Sequence, residues 1–73
     1  MTKVYAVVLE HGEHNWSAYV PDLPGCIATG TTREQTLALI QEAIAFHIEG
    51  MQFHNQQIPE PTTQVEWVEV AAS

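Results

Sequence analysis

The sequence predicts an α+β fold: a single domain over residues 1–73 with the order β-β-β-α-β, in which a three-stranded antiparallel sheet and a final strand pack with one helix. Three observations support this fold. Alternating β-branched and aromatic residues occupy much of the first twenty positions, a capped amphipathic stretch begins at Thr32, and a strand-like run follows a proline-containing loop. A chain of 73 residues accommodates one domain.

The predicted strands are short and are separated by turn signals. Residues 3–10 (KVYAVVLE) place apolar side chains on both faces, as in a strand covered on both sides. HGEH is a turn signal, and the alternation in residues 16–20 predicts a second strand that forms an antiparallel hairpin with the first. Residues 26–29 (CIAT) predict a third strand, and residues 64–70 (QVEWVEV) predict the last one.

A stiff corner, PDLPG at residues 21–25, interrupts the sheet. A proline cannot donate to a strand ladder, Pro24 fixes its own φ, and Gly25 accepts a positive φ. Asp22 is expected to accept hydrogen bonds from backbone N–H groups directly ahead of it. The corner therefore redirects the chain, and its rigidity would also present Asp22 and Leu23 to a partner at a low entropic cost.

The helix signal begins within TGTTREQ. Thr32 is a suitable N-cap, Gln35 completes a capping box, and Glu34 lies near the positive end of the helix dipole. Gly50 is a candidate for the helix end, although the pattern extends to His54. Apolar residues spaced by three and four predict the face that lies on the sheet: Leu37, Ile40, Ile44, Ile48 and Met51.

A second apolar stripe, formed by Leu39, Phe46 and Phe53, lies on the opposite side of the predicted helix. A side that faced only solvent would not carry it. One interpretation is that the stripe packs under the loop at residues 55–63, or that Phe53 lies beyond the helix end. The other is that the stripe is the interface of a homo-oligomer or of another partner.

The charge of the chain argues against one class of partner. Lys3 and Arg33 are the only basic residues beside nine acidic ones, and the net charge is −7. Nucleic-acid binding needs Lys and Arg to neutralise phosphates, so we expect no direct nucleic-acid contact and favour a basic protein partner. A single cysteine, no leader pattern and no long apolar run predict a cytoplasmic protein without a membrane contact.

Side chains that could carry catalysis are weakly arranged. Four titratable residues share one predicted turn and superficially resemble metal ligands: Glu10, His11, Glu13 and His14. A hairpin tip gives such ligands little rigid support, and His47 and His54 are more typical of half-exposed helix residues. Asp22 is the sole aspartate, so the converging carboxylates of a metal nuclease are missing, and Cys26 has no neighbouring cation to activate it. We therefore expect no enzyme activity, no cofactor and no metal.

Four segments, YAVVLE, WSAYVPDLPGC, TGTTREQTLALIQEAIAFHIEG and IPEP, together span about residues 5–61. In this order they resemble the HicB-like antitoxins, the protein half of a bacterial toxin–antitoxin pair. The specific part is VPDLPGC followed by a glycine, a threonine cap and an alanine-bearing helix. Thr36 stands where members of the family often carry alanine.

The resemblance implies a partial ribonuclease H-like domain without working nuclease carboxylates. It also implies a partner, a small basic HicA-type toxin that acts as an mRNA interferase and whose active site the antitoxin covers. Charge complementarity makes Glu10, Glu13 and Asp22 candidates for toxin binding, and Leu23 is a fourth candidate because the rigid corner would present it with Asp22. A homo-oligomer, either a dimer or a tetramer, would use Leu39, Phe46 and Phe53.

Many relatives in this family continue into a C-terminal DNA-binding domain. Because this chain ends at Ser73, just after its last predicted strand, we expect the short form, which binds no operator by itself. The alternative function, from another class, is a stand-alone homo-oligomeric scaffold or ligand-binding module without a cognate toxin. A short basic neighbour encoded in the same operon would distinguish the two.

Overall fold

A computed structural model describes residues 2–72 and contains three strands and one helix. The strands are β1 (Val8–His11), β2 (Trp16–Tyr19) and β3 (Ile27–Gly30), and the helix is α1 (Arg33–Phe53). The strands form an antiparallel sheet in the order β1-β2-β3. The α+β class and the predicted hairpin are therefore confirmed.

The first strand is shorter than predicted. β1 begins at Val8, whereas the alternation had predicted a strand from residue 3. Residues 3–7 have no strand partner in this structure, yet Tyr5 and Val7 still pack against the hydrophobic core. The prediction of burial holds for the face of Tyr5 and Val7 only, since Val4 on the other face is 79% exposed. The paired length was overestimated because pairing also needs a neighbouring strand.

The corner after β2 is a tight turn, as the sequence predicted. The Cys26 N–H donates to the Leu23 carbonyl at 3.0 Å, and Gly25 has a φ of 85°. Pro24 before a positive-φ glycine is the arrangement of a type II turn. The turn buries Leu23 completely, beside Val20 and Cys26 in the core.

Helix α1 begins and ends on recognisable capping structures. The Thr32 hydroxyl accepts a hydrogen bond from the Gln35 N–H at 3.0 Å, which confirms the predicted N-cap. The Gln35 side chain reaches back to the Thr31 N–H at 2.7 Å. Gly50 does not end the helix. Asn55, with a φ of 55°, follows the His54 cap, and the N–H groups of residues 55 and 56 close a Schellman motif onto the last turn.

The helix packs on one face of the sheet through part of the predicted side, because Ile40 and Ile44 reach the core whereas Leu37, Ile48 and Met51 are only half-buried outside the core cluster. Ile40 is buried, and Ala43 and Ile44 pack against the core cluster. The sequence did not predict that Thr36 would be completely buried. Its hydroxyl donates to the Thr32 carbonyl at 2.7 Å, so no hydrogen-bonding group is left unsatisfied there.

The prediction of a final strand at residues 64–70 is wrong for this structure. These residues lie outside the sheet and are exposed throughout. The segment before them is held against the body of the domain, since the Tyr5 hydroxyl donates to the Pro59 carbonyl at 2.6 Å and Lys3 pairs with Glu60 at 2.8 Å. The alternating pattern of residues 64–70 is real, but within residues 2–72 the segment has no strand beside it.

Candidate protein-binding surfaces

The tip of the β1–β2 hairpin carries two of the predicted toxin-binding residues. Glu10 pairs with Ser17 at the end of the sheet, and Glu13 lies in the turn that the Gly12 N–H closes onto the Asn15 carbonyl at 2.8 Å. Both carboxylates are exposed to solvent. This tip is therefore an acidic surface that another protein could reach.

An aromatic stack stiffens the same tip. The rings of His11 and Trp16, which are cross-strand partners, lie 4.2 Å apart and nearly parallel, at 6°. Such a pair stabilises the end of the hairpin and limits the motion of the adjacent acids. His14 and Glu13 are fully solvated and 3.9 Å apart, which is a weak pair. Among residues 2–72 no three potential ligands converge into a metal site.

Asp22 has a different role from the one that the sequence suggested. Its carboxylate does not bind the backbone directly ahead of it but accepts four hydrogen bonds from Thr62 and Thr63, forty residues further along the chain. The N–H and hydroxyl of Thr63 donate at 2.9 and 2.8 Å, and those of Thr62 at 3.0 and 3.2 Å. We call this arrangement the Asp22 clamp. The hydrogen bonds from the Thr63 backbone and hydroxyl lower the pKa of Asp22.

The four predicted toxin-binding residues do not form one surface. Glu10 and Glu13 lie at the hairpin tip, whereas Asp22 follows the far end of β2 and is occupied by Thr62 and Thr63. Leu23 is completely buried, so it is not available to a partner. Sequence reasoning could not separate these positions because a surface loop and a core-forming turn share the same Pro, Asp and Gly composition.

The predicted apolar stripe on α1 is exposed. Phe46 and Phe53 are 79% and 83% exposed, and Leu39 is 37% exposed. Phe53 is the last residue of the helix, so the interpretation that placed it beyond the helix end is wrong. The interpretation that the loop covers the stripe also fails for the two phenylalanines, because their exposure leaves little area for any contact.

An open groove runs between the stripe and the outer edge of β3. Its strand side is lined by Ala28 with its chain neighbours Ile27 and Thr29, and its helix side by Leu39, Glu42, Ala43 and Phe46. Ile27 is 67% exposed. We refer to this feature as the β3 groove. It is mostly apolar and too open to enclose a small molecule, which is the character of a protein-docking surface rather than of a ligand pocket.

A second exposed apolar region lies at residues 64–70, which the sequence predicts as a strand of the sheet. Val65, Trp67, Val68 and Val70 are all exposed, and Trp67 is 93% exposed. The sequence signal was the QVEWVEV alternation itself, which is strand-forming and apolar on both faces. An exposed tryptophan of this kind is more typical of an interface than of a solvated tail.

The thiol of Cys26 is not a candidate nucleophile. It is buried in the core, and burial raises its pKa. In the part of the chain that the structure describes, no helix is long and apolar enough to span a membrane.

The fold and these surfaces define a small acidic α+β domain with exposed acidic and apolar regions. Residues 5–72 match the family model described as the HicB_like antitoxin of bacterial toxin–antitoxin systems. The chain therefore belongs to the HicB-like antitoxin family, as its motifs had indicated.

Three relatives illustrate the similarity. The chain is 39% identical over 70 residues to Antitoxin HicB 2 of Photorhabdus laumondii, covering 94% of this chain and 50% of that protein. It is 36% identical over 56 residues to a 14.9 kDa protein of the rep-hol intergenic region of Haemophilus phage HP1, covering 77% and 42% of the two chains. It is 39% identical over 56 residues to a UPF0150 protein of Thermoplasma acidophilum, covering 75% and 81%. The chain thus spans about half the length of the first two relatives.

Proposed function

We propose that this chain is an antitoxin that binds a small basic HicA-type mRNA interferase and occludes its active site. The observation that carries the proposal is the family match over residues 5–72, together with a relative named Antitoxin HicB 2. No enzyme activity of its own is part of this function. We also propose that the sheet and the helix form a partial ribonuclease H-like fold.

The electrostatics of the chain support a basic partner. An RNA-cleaving toxin needs positive charge to bind phosphates, and a chain with a net charge of −7 would attract such a surface. Of the two basic residues, Lys3 is paired with Glu60. Glu10 and Glu13 at the hairpin tip are exposed and free to meet the basic surface of the toxin.

The test of function is co-expression with a small basic protein of the HicA type, taken from the same operon if one is encoded there. We expect that the two proteins are captured together and that this chain restores growth when the toxin alone arrests it. Growth arrest that this chain does not relieve, or a failure to capture the partner, would favour the alternative, a stand-alone homo-oligomeric module.

The test of the contact residues is a pair of charge-matched variants. Glu10→Gln with Glu13→Gln removes two charges at the hairpin tip, and Glu66→Gln with Glu69→Gln removes two elsewhere. Only the first pair is expected to slow toxin association and to flatten its dependence on salt, because the contact is electrostatic. Equal losses in both pairs would show that association depends on the net charge of the chain and not on the hairpin tip.

A further inference from the structure

Residues 64–70, here called the C-terminal segment, are strand-forming in sequence and unpaired in the structure. In an extended chain Val65 and Trp67 point to one side and Val68 and Val70 to the other, so both sides are partly apolar. A large exposed aromatic side chain such as Trp67 gains substantially when it enters an apolar pocket. The segment therefore has the pattern of a strand that is covered on both faces.

The chain exposes more surface than a compact protein of its mass. Its accessible area is 6010 Å², whereas a compact monomer of 8.1 kDa exposes about 4,500 Å². Its radius of gyration is 14.3 Å, against about 11 Å for a compact chain of this length. The difference of about 1,500 Å² is larger than the roughly 800 Å² that each partner buries in a standard protein interface. A second copy could therefore cover the excess.

The outer edge of β3 offers a complementary site. β3 is the last strand of the sheet, and within residues 2–72 no strand pairs with its outer edge. Its residues alternate, with Ala28 toward the helix and the exposed Ile27 on the other face. An added strand would therefore meet apolar surface on both sides, with Phe46 on the helix side.

We propose that the C-terminal segment of a second copy pairs with the outer edge of β3 and inserts Trp67 into the β3 groove, and that the exchange is reciprocal. Main-chain hydrogen bonds to the strand edge supply affinity, and the alternate side chains supply specificity. The reciprocal exchange closes a two-fold dimer. This inference is independent of toxin binding, which we assign to the hairpin tip.

The edge of β1 fits the segment less well. The exposed residues of β1 are Glu10 and His11, and its apolar residues Val8 and Leu9 are already half-buried. The chain before β1 is also contacted by residues 59 and 60. A two-sided apolar strand would gain less burial at that edge than at β3.

The Asp22 clamp favours pairing of the C-terminal segment with the sheet of a second copy over pairing with the sheet of its own copy. It fixes Thr62 and Thr63 directly before the segment, and from there the segment stays clear of its own sheet. The molecule is 51 Å long but only 26 and 19 Å across. Because Thr62 and Thr63 are held and the segment after them projects from the domain, two copies can exchange segments with little loss of conformational entropy.

The charges predict an unusual dependence on salt. The segment carries Glu66 and Glu69, and the β3 groove that would accept it is lined by Glu42. These like charges oppose association at low ionic strength, and salt screens them. The dimer should therefore become tighter as salt is added, whereas a contact with a basic toxin should become weaker.

The experiment is sedimentation equilibrium of the chain over a range of concentrations, with two interface variants and a control. Trp67→Glu damages the segment, Phe46→Glu damages the groove, and Val4→Glu places the same charge at another exposed apolar position. We expect each interface variant to weaken the dimer by roughly tenfold or more, as for an interface anchor. The control should dimerise like the unmodified chain, and circular dichroism should show all variants folded.

Mixing the two damaged variants separates segment exchange from other dimers. In the mixed dimer the intact segment of Phe46→Glu meets the intact groove of Trp67→Glu, so one of two contacts is restored. We therefore expect the mixture to associate more strongly than either variant alone. A stripe-to-stripe dimer would show no such rescue, and this result would overturn the proposal.

A fluorescence measurement reports on Trp67 directly. In a Trp16→Phe background Trp67 is the only tryptophan, and its emission should move to shorter wavelength as the dimer forms. A chain that remains monomeric at all concentrations would overturn the proposal. A buried Trp67 in a monomer would also overturn it, since the segment would then fold onto its own copy.

Discussion

The carboxylate of Asp22 accepts hydrogen bonds from both the N–H and the hydroxyl of Thr63, across 41 residues of sequence. With the two bonds from Thr62 they fix the chain that follows the helix against the corner between β2 and β3. The corner therefore has a structural role beyond turning the chain. It determines where the C-terminal segment leaves the domain.

Removal of the Asp22 clamp should release the chain around Thr62 and Thr63. In Asp22→Ala the two N–H groups lose their acceptors, so we expect faster amide exchange at both positions, measured by NMR. Asp22→Asn is the matched comparison, because one amide oxygen still accepts both N–H groups and the threonine hydroxyls can turn to accept from the amide nitrogen. Equal protection in all three proteins would show that the clamp contributes nothing to local order.

The clamp should also depend on pH. Hydrogen bonds to the ionised form hold the pKa of Asp22 below its ordinary value of 3.8 in the folded chain. The stabilisation by the ionised Asp22 carboxylate is therefore complete above the pKa that Asp22 has in the unfolded chain. It is lost as the pH falls through the lower pKa that Asp22 has in the folded chain. Amide protection at Thr63 should decrease over that acidic range in the unmodified chain and should change less in Asp22→Asn. An identical titration in both proteins would contradict this assignment.

Local signals allowed much of this fold to be predicted. The Thr32 cap, the positive φ of Gly25 and the apolar face around Ile40 each follow from residues within a few positions of one another. The burial of Thr36 was not predicted, because a threonine one turn into a helix carries no signal for a close approach of Gly30 from the sheet.

Features that depend on distant partners were not predictable in the same way. An aspartate beside prolines favours local turns, so the bonds of Asp22 to Thr62 and Thr63 could not be read from its neighbours. Alternation at residues 64–70 predicted a strand, but pairing depends on the strand beside it, and the described chain supplies none. The stripe of Leu39, Phe46 and Phe53 was found from its periodicity, which identifies an apolar face without identifying what covers it.

The N-cap of α1 makes a testable contribution to stability. Thr32→Ala removes the acceptor for the Gln35 N–H, and we expect it to lower the free energy of unfolding by about 1 kcal/mol. Denaturant unfolding followed by circular dichroism measures the change. Thr2→Ala, which alters a threonine before the first strand, is the control and should have little effect. A loss of equal size in the two variants would show that the cap is not the cause.

The contact between Gly30 and Thr36 should appear as an energetic coupling. A Cβ at Gly30 would lie 2.6 Å from the Thr36 hydroxyl oxygen and 3.2 Å from its backbone nitrogen, so Gly30→Ala forces the helix away from β3. We expect a loss of about 1–3 kcal/mol in the free energy of unfolding, as for other overpacked sites. Gly50→Ala is the matched control, because nothing lies near its Cβ position and alanine favours the helix by about 0.5–1 kcal/mol.

Thr36→Ala should relieve part of the crowding that Gly30→Ala creates. Alanine at this position removes the Thr36 hydroxyl oxygen, which is the closest atom to the new Cβ, but it leaves the contact with the backbone nitrogen. The double variant should therefore lose less stability than the two single variants lose in total. For residues in contact the coupling is about 0.5–3 kcal/mol, and denaturant unfolding of the four proteins of the cycle measures it. If the changes in the free energy of unfolding are strictly additive, positions 30 and 36 are not coupled across the contact between the sheet and the helix.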